Sequence, residues 1–99
     1  MVRRARSQLP ELVFDSNARI TSRGYVVTLG DNAARLERLG LTFESALGRR
    51  FTFAMEDCDQ RGEPDDLLVE GTIVRHSLWG YLAEMDDNGF YHRSELADA

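Results

Sequence analysis

The sequence predicts a mainly β fold of the α+β class, namely a small antiparallel barrel of five or six strands, SH3-like or OB-like, with one short helix. Two observations lead to this prediction. Short runs of alternating apolar and polar residues are separated by glycines and by Asp and Asn, and one segment has the spacing of a helix. Because so many short strands fall within 99 residues, a partly closed barrel buries their apolar faces and leaves few open edges.

The length of the chain indicates one domain, since 99 residues is close to the commonest domain size and suffices for a single core. Residues 1–10 are polar, contain Arg3, Arg4 and Arg6, and end at a proline. We expect them to form a mobile arginine-rich arm. Residues 11–99 are then expected to form a single β-barrel domain.

The first strands are predicted from two apolar segments. Residues 12–14 form a short apolar run, and residues 19–29 are rich in β-branched and aromatic residues. Residues 15–17 have turn chemistry, so the two segments form two strands or one bent strand. Gly24 lies inside the second segment and indicates a bulge or a sharp bend.

The one clear helix is predicted over residues 33–39. Asp31 or Asn32 is the expected N-cap, and Gly40 stands in the C-cap position. A further helical turn is expected to start at Thr42. The helix is predicted to bury one face against the sheet, formed by Leu36, Leu39 and Ala33.

The second half of the chain is predicted to be a strand meander. Its clearest strand covers residues 49–56, where alternation places Phe51, Phe53 and Met55 on one face. A polar hairpin loop follows at residues 57–66. Three more strands are expected, at residues 67–76, 81–86 and 90–95.

The sequence offers no metal site or cofactor motif. The single cysteine, Cys58, cannot form an internal disulfide or a cysteine cage for a metal. Residues 57–62 have the opening of a calcium loop, but Arg61 stands at a ligand position and Leu68 replaces the closing glutamate. We therefore expect no cofactor.

Enzymatic activity is not expected either. The sequence contains no glycine-rich phosphate loop and no nucleophile elbow. Ser94, His92 and Glu95 are too close in sequence to act as a triad from one strand, because neighbouring side chains point to opposite faces.

No apolar run approaches the roughly 20 residues needed to span a bilayer. The expectation is a cytoplasmic protein that does not bind membranes.

Charge disfavours general nucleic-acid binding. All 12 basic residues are arginine, and 17 acids give a net charge of −5. Residues 1–24 hold five arginines and two acids, whereas residues 25–99 hold seven arginines and fifteen acids. An acidic body repels phosphate backbones, so nucleic-acid binding requires a local basic patch.

The C-terminal strands carry a family resemblance in three motifs. These are Gly71-Thr-Ile73, Trp79-Gly80-Tyr81-Leu82-Ala83, and Gly89-Phe90-Tyr91-His92-Arg93-Ser94-Glu95-Leu96. Together they resemble the RNA-binding OB-fold repeat of the ribosomal protein S-one type, over about residues 71–96.

The resemblance implies that single-stranded RNA stacks on aromatic side chains, with Trp79 and His92 at matching positions. Leu82 stands where the family has its second aromatic, and Tyr81 stands where it has a small residue. The family's fourth and fifth strands could come only from the N-terminal part in permuted order. The nucleic-acid contacts that this alternative predicts are Arg75, Trp79, Tyr91, His92 and Arg93.

The hypothesis that the residues favour is a non-enzymatic interaction module. Adjacent Phe90 and Tyr91 point to opposite faces of a strand, so one of them faces away from the core. An outward aromatic beside Trp79 or Tyr81 forms a contact patch. We expect self-association, as a dimer, through Trp79, Tyr81, Phe90 and Tyr91, or contact with another protein partner. Single-stranded RNA or DNA binding, and a small-molecule site under the helix, are the alternatives.

Overall fold

The structure, a computed structural model, describes residues 8–87 and 89–96. Most of the expected N-terminal arm, residues 1–7, lies outside the described residues. The predicted mainly β class with one short helix is confirmed. In chain order the elements are β1 (Glu11–Val13), β2 (Gly24–Val26), α1 (Asn32–Arg38), β3 (Arg50–Met55), β4 (Leu67–His76), β5 (Gly80–Met85) and β6 (Tyr91–His92), with 3₁₀ turns at Ser16–Ala18 and Arg93–Glu95.

The strands form one mixed sheet in the order β1-β3-β4-β5-β2, with β6 paired to β4. The β1–β3 pair is parallel, whereas the sequence analysis expected an antiparallel barrel. The reason is the long connection, because β2 and α1 lie between the two strands in the chain and no tight hairpin turn constrains their direction. The other pairs are antiparallel.

The ten-residue strand β4 organises the sheet. Its first half lies between β3 and β6, and its second half pairs with β5. Gly71 marks the point where β5 begins to replace β6 as the neighbour. A Cβ at this position would lie 2.6 Å from the backbone oxygen of Glu84, so only glycine fits there.

The two strands at the ends of the sheet order, β1 and β2, are joined by the side chain of Asn32. Its Oδ1 accepts a hydrogen bond from the Val13 N–H, and its Nδ2 donates to the Val13 carbonyl, each at 2.8 Å. The same Nδ2 donates to the carbonyl of Val27, just beyond β2. Asn32 is fully buried. The sheet is therefore closed by a side-chain amide in the place of a backbone ladder.

The main core lies inside this closed sheet, and a smaller cluster lies outside it. Phe51 and Phe53 of β3 face the main core, as the alternation predicts. Thr52 and Ala54 on the other face of β3 are also buried, because the C-terminal segment packs over them. The outer cluster consists of Ala54, Leu68, Tyr91 and Leu96.

Helix α1 buries one of its two expected leucines. Leu36 is fully buried, but Leu39 is 46% exposed, which corrects the prediction that both are covered. Leu39 is the C-cap, and Gly40 follows with φ +74° and reverses the chain. The N–H of Leu41 then bonds the Leu36 carbonyl, so Leu41 packs against the core. Within residues 8–87 and 89–96, no helix is long and apolar enough to cross a membrane.

The predicted strand at residues 90–95 is shorter in the structure. Strand β6 ends at His92, and a 3₁₀ turn follows. The His92 N–H donates to the Glu95 carboxylate at 2.6 Å, and the Ser94 N–H donates to the Asp65 carboxylate at 2.9 Å. These side-chain acceptors replace the strand partners that a longer β6 would need. The long segment 19–29 is likewise reduced to the three residues of β2.

Candidate interaction surface

The hairpin between β4 and β5 carries two adjacent large apolar side chains that are exposed. Leu78 is 79% exposed and Trp79 is 47% exposed. The chain turns through residues 77–79, and Gly80 takes up φ +78° to return it to the sheet. We call Leu78 and Trp79 the hairpin tip.

The imidazole of His76 holds the hairpin tip in one conformation. Its Nδ1 accepts hydrogen bonds from the N–H of Leu78 at 3.2 Å and from the N–H of Trp79 at 3.1 Å. These bonds require an Nδ1 without a proton. The two apolar side chains are therefore presented on a preorganised backbone, which reduces the entropy lost when a partner binds.

Below the hairpin tip, Tyr81 is packed between two neighbours. Its ring stacks on Phe43, with ring centroids 5.5 Å apart and an angle of 24° between the planes. The guanidinium of Arg75 also lies over the Tyr81 ring, 5.7 Å from its centroid. The Tyr81 hydroxyl donates to Glu44 Oε2 at 2.6 Å, and Arg75 forms an ion pair with the same carboxylate. These contacts fix the segment after α1 against the hairpin.

Charge in this group is balanced. The hydrogen bond from Tyr81 lowers the pKa of Glu44, and the guanidinium of Arg75 lowers it further. The same hydrogen bond raises the pKa of Tyr81. At neutral pH the carboxylate is ionised, the phenol is protonated, and the positive charge of Arg75 is matched by Glu44.

A groove of about 330 Å³ lies beside this group, between α1 and the segment that follows it. Phe43 belongs to both features, since it stacks on Tyr81 and forms part of the groove wall. The small-molecule site predicted under the helix stays a prediction. We call this groove the α1 groove, and it is lined by Ala33, Leu36, Glu37, Leu41, Thr42 and Phe43.

The hairpin differs in charge from the acidic body of the protein. Residues 71–83 contain no Asp or Glu, and their one formal charge is that of Arg75. The whole chain has a net charge of −5. The surface around the hairpin tip is therefore a place where a second acidic molecule meets little repulsion.

Phe90 is exposed but lies away from the hairpin tip. It stands in the loop between β5 and β6, and its ring stacks on Phe14 with centroids 5.9 Å apart. Trp79 precedes the first residue of β5, and Phe90 follows the last. Six strand residues span about 20 Å. The structure thus separates two aromatics that the sequence analysis placed in one patch.

Tyr91 is the buried member of the adjacent pair. It is 4% exposed and packs in the outer cluster, and its hydroxyl donates to a Glu70 oxygen. Its ring therefore has no face free for a partner or a base. This corrects the prediction that Tyr91 belongs to an interaction surface or to a nucleic-acid site, and leaves Phe90 as the outward residue.

The three cationic candidates for nucleic-acid contact each face acids. Arg75 pairs with Glu44, and Arg93 pairs with Glu11 and Asp66. His92 Nε2 lies 3.0 Å from Asp57 Oδ2, and this hydrogen bond raises the pKa of His92. A phosphate approaching these side chains would have to displace a carboxylate.

Sequence reasoning missed the exposed Leu78 and the role of Phe43. A signal for Leu78 was present, since the two positions before Gly80 are apolar although hairpin turns favour Gly, Asn, Asp and Ser. No signal linked Phe43 to Tyr81, because 38 positions separate them in the chain and only the fold brings them together.

The cavity beside the outer cluster and the acidic loop at residues 57–66 are weaker candidates for a functional site. A cavity of about 130 Å³ lies beside the outer cluster, and its wall includes Thr52, Glu11 and Arg93. Among the described residues, no group of three or more His, Cys, Asp or Glu side chains is arranged to hold a metal ion. The acidic loop at residues 57–66 is included in that statement.

The chain has no significant match among protein-family models, curated proteins or solved structures. The resemblance of residues 71–96 to the ribosomal S-one type repeat stays a prediction. The hairpin tip is the feature of this molecule that bears most directly on its function.

Proposed function

We propose that this protein is a non-enzymatic interaction module that forms a homodimer through the hairpin tip and the surface beside it. The observation that carries the proposal is the exposure of Leu78 and Trp79 on a backbone fixed by His76. Burying a large apolar side chain in an interface contributes roughly 1.5–3 kcal/mol. Aromatic residues presented in this way are typical of the centre of protein interfaces.

A second copy of the chain is the partner that the charge distribution supports best. Two molecules of net charge −5 repel each other across most of their surfaces. Contact through residues 71–83 presents a segment without acids to the partner, and the nearby Arg75 and Glu44 neutralise each other. A standard interface covers about 800 Å² on each partner. That area is one-eighth of the 6400 Å² surface.

The test is the mass of the protein in solution. Sedimentation equilibrium should give a mass that rises with concentration above the monomer value of 11.2 kDa. Trp79→Ala should lower the mass toward 11.2 kDa. Phe90→Ala is the matched control, because Phe90 is equally exposed but lies beyond the other end of β5, and it should leave the mass unchanged.

Two results would contradict self-association through this surface. One is a wild-type protein that stays monomeric at high micromolar concentration. The other is a dimer that Trp79→Ala leaves intact. A dimer disrupted by Phe90→Ala in place of Trp79→Ala would assign the interface to the other end of β5.

Single-stranded nucleic-acid binding is the second candidate, and the exposed ring of Trp79 favours it. A base stacked on this ring quenches its fluorescence, and added salt reverses the effect. Trp79 is the only tryptophan, so the signal reports on this residue alone. Mixed RNA and DNA oligonucleotides at low salt are the probe. Unchanged emission would remove this candidate.

A further inference from the structure

We infer that Trp79 of each molecule inserts into the α1 groove of the other, so that the dimer is held by two equivalent contacts. This inference rests on the proposed function and names the surface that receives the hairpin tip. The occupant of the groove is the indole ring of a second copy of this chain.

The chemistry of the α1 groove suits an indole. Ala33, Leu41 and Phe43 give apolar walls, with the fully buried Leu36 behind them, as a large aromatic ring requires. A buried tryptophan also needs an acceptor for its ring N–H. Glu37 lines the groove and supplies a carboxylate.

The dimensions are also suitable. The groove has a volume of about 330 Å³, within the roughly 300–1,000 Å³ of pockets that bind organic ligands. The hairpin tip extends from the sheet with Leu78 next to Trp79, so an inserted indole brings a second apolar side chain to the rim. Both surfaces are held by internal contacts before they meet, at His76 for the tip and at Tyr81 for the groove wall.

Reciprocity follows from the position of the two surfaces. Phe43 forms part of the groove, and it stacks on Tyr81, two residues after Trp79. The hairpin tip and the groove therefore belong to one side of the molecule. A two-fold axis through that side lets each tip enter the other groove, which closes the assembly at two molecules.

Ala33 and Ala34 provide a matched pair of variants. Both are exposed residues in the first turn of α1, but Ala33 lines the groove and Ala34 does not. A glutamate at either position lies in the first turn of the helix, where the helix dipole favours a negative charge, and its i+4 neighbour is Glu37 from position 33 and Arg38 from position 34. Ala33→Glu should abolish the dimer because a large charged side chain replaces a methyl group in the apolar wall of the groove, and Ala34→Glu should leave the mass of the wild type.

Mixing two defective variants tests the reciprocal contact. Trp79→Ala keeps a groove but has no tip, and Ala33→Glu keeps a tip but has a blocked groove. Each variant alone should be monomeric. An equimolar mixture should form a heterodimer that keeps one of the two contacts and is therefore weaker than the wild-type dimer. Because Trp79→Ala contains no tryptophan, the emission in the mixture comes from the inserting ring and should shift to shorter wavelength.

The outcomes separate this inference from the proposed function. A wild-type monomer overturns both. If Trp79→Ala is monomeric but Ala33→Glu still dimerises, self-association stands and insertion into the groove is wrong. If both variants are monomeric but their mixture gives neither a heterodimer nor a spectral shift, the tips do not enter the grooves and the inference fails.

Discussion

The side chain of Asn32 and the backbone of Val13 form a paired set of hydrogen bonds, in which the amide accepts from the Val13 N–H and donates to the Val13 carbonyl. This is the pattern that a neighbouring strand would give to Val13. The third bond, to the carbonyl of Val27, extends the contact to the chain beyond β2. A single buried residue thus satisfies three backbone groups.

Replacing Asn32 should therefore be costly. Asn32→Ala leaves one N–H and two carbonyls without their partner in a buried site, and each such group costs about 1–3 kcal/mol. We expect the free energy of unfolding to fall by roughly 3 kcal/mol or more, measured by urea denaturation. Asn17→Ala, at an exposed position in a 3₁₀ turn, is the control and should change stability little. Equal effects of the two substitutions would contradict the role of Asn32.

Replacing Thr52 should have the opposite effect and stabilise the protein. Thr52 is 6% exposed, and within the described residues its Oγ1 has no hydrogen-bond partner. Thr52→Val keeps the branched shape and removes the unsatisfied hydroxyl, so the free energy of unfolding should rise by about 1 kcal/mol. Thr28→Val, at an exposed position, serves as the control in the same denaturant experiment. A destabilised Thr52→Val would show that the hydroxyl is bonded in solution.

The pair formed by His92 and Asp57 should give a pH-dependent contribution to stability. The hydrogen bond to Asp57 raises the pKa of His92 above its ordinary value of 6.5, so this contribution is complete below pH 6.5 and is lost as the pH rises through the folded pKa. The same hydrogen bond lowers the pKa of Asp57 below 3.8, so that contribution is complete above pH 3.8 and is lost as the pH falls through its folded pKa. The pair therefore stabilises the fold most between these two values.

His92→Gln should accordingly destabilise the protein more at about pH 5.5 than at about pH 8.5, measured by urea denaturation at both pH values. The hydrogen bond to Asp57 is the largest cause of the raised pKa of His92, and the charges of Asp65 and Glu95 raise it further. In an Asp57→Asn background the pH dependence of the His92→Gln effect should shrink. An effect of equal size at both pH values in the wild-type background would contradict the charged pair.

Tyr81 has two separable roles, one in its ring and one in its hydroxyl. Tyr81→Phe keeps the stack on Phe43 but removes the donor to Glu44, so the pKa of Glu44 should rise toward its ordinary value of 4.5. A carboxyl carbon titration by NMR measures this change. Tyr81→Ala also removes the aromatic pair, which contributes about 0.5–1.5 kcal/mol beyond buried area. An unchanged pKa of Glu44 in Tyr81→Phe would assign the effect to Arg75.

Local patterns predicted much of the fold. Alternation found β3 and β4, and the Leu36-to-Gly40 spacing found α1. Patterns failed where a distant segment decided the outcome. The sequence shows no sign that Thr52 and Ala54 are covered, since the cover comes from residues more than 35 positions away.

The candidate surface was predicted only in part. Trp79 and Tyr81 were found because aromatics near a hairpin glycine stand out in one sequence. Phe90 was assigned to the same patch because strand alternation fixes which face a side chain takes but not where along the sheet it lies. Tyr91 was assigned to it because nothing in the sequence shows that Tyr91 is buried in the outer cluster. Glu44 and Phe43 come from a segment with no visible connection to the hairpin, and only the folded chain places them beside Tyr81.

Asn32 also couples two properties that are usually separate. It is the first residue of α1, and the next residue, Ala33, lines the α1 groove. The turn of helix that closes the sheet is thus the turn that would receive a partner's indole. Because the proposed dimer would form only from folded molecules, the melting temperature would increase with protein concentration. A variant in which the hydrogen bonds of Asn32 to Val13 and Val27 are weakened would bind its partner less tightly, although none of the residues in the contact surface has changed.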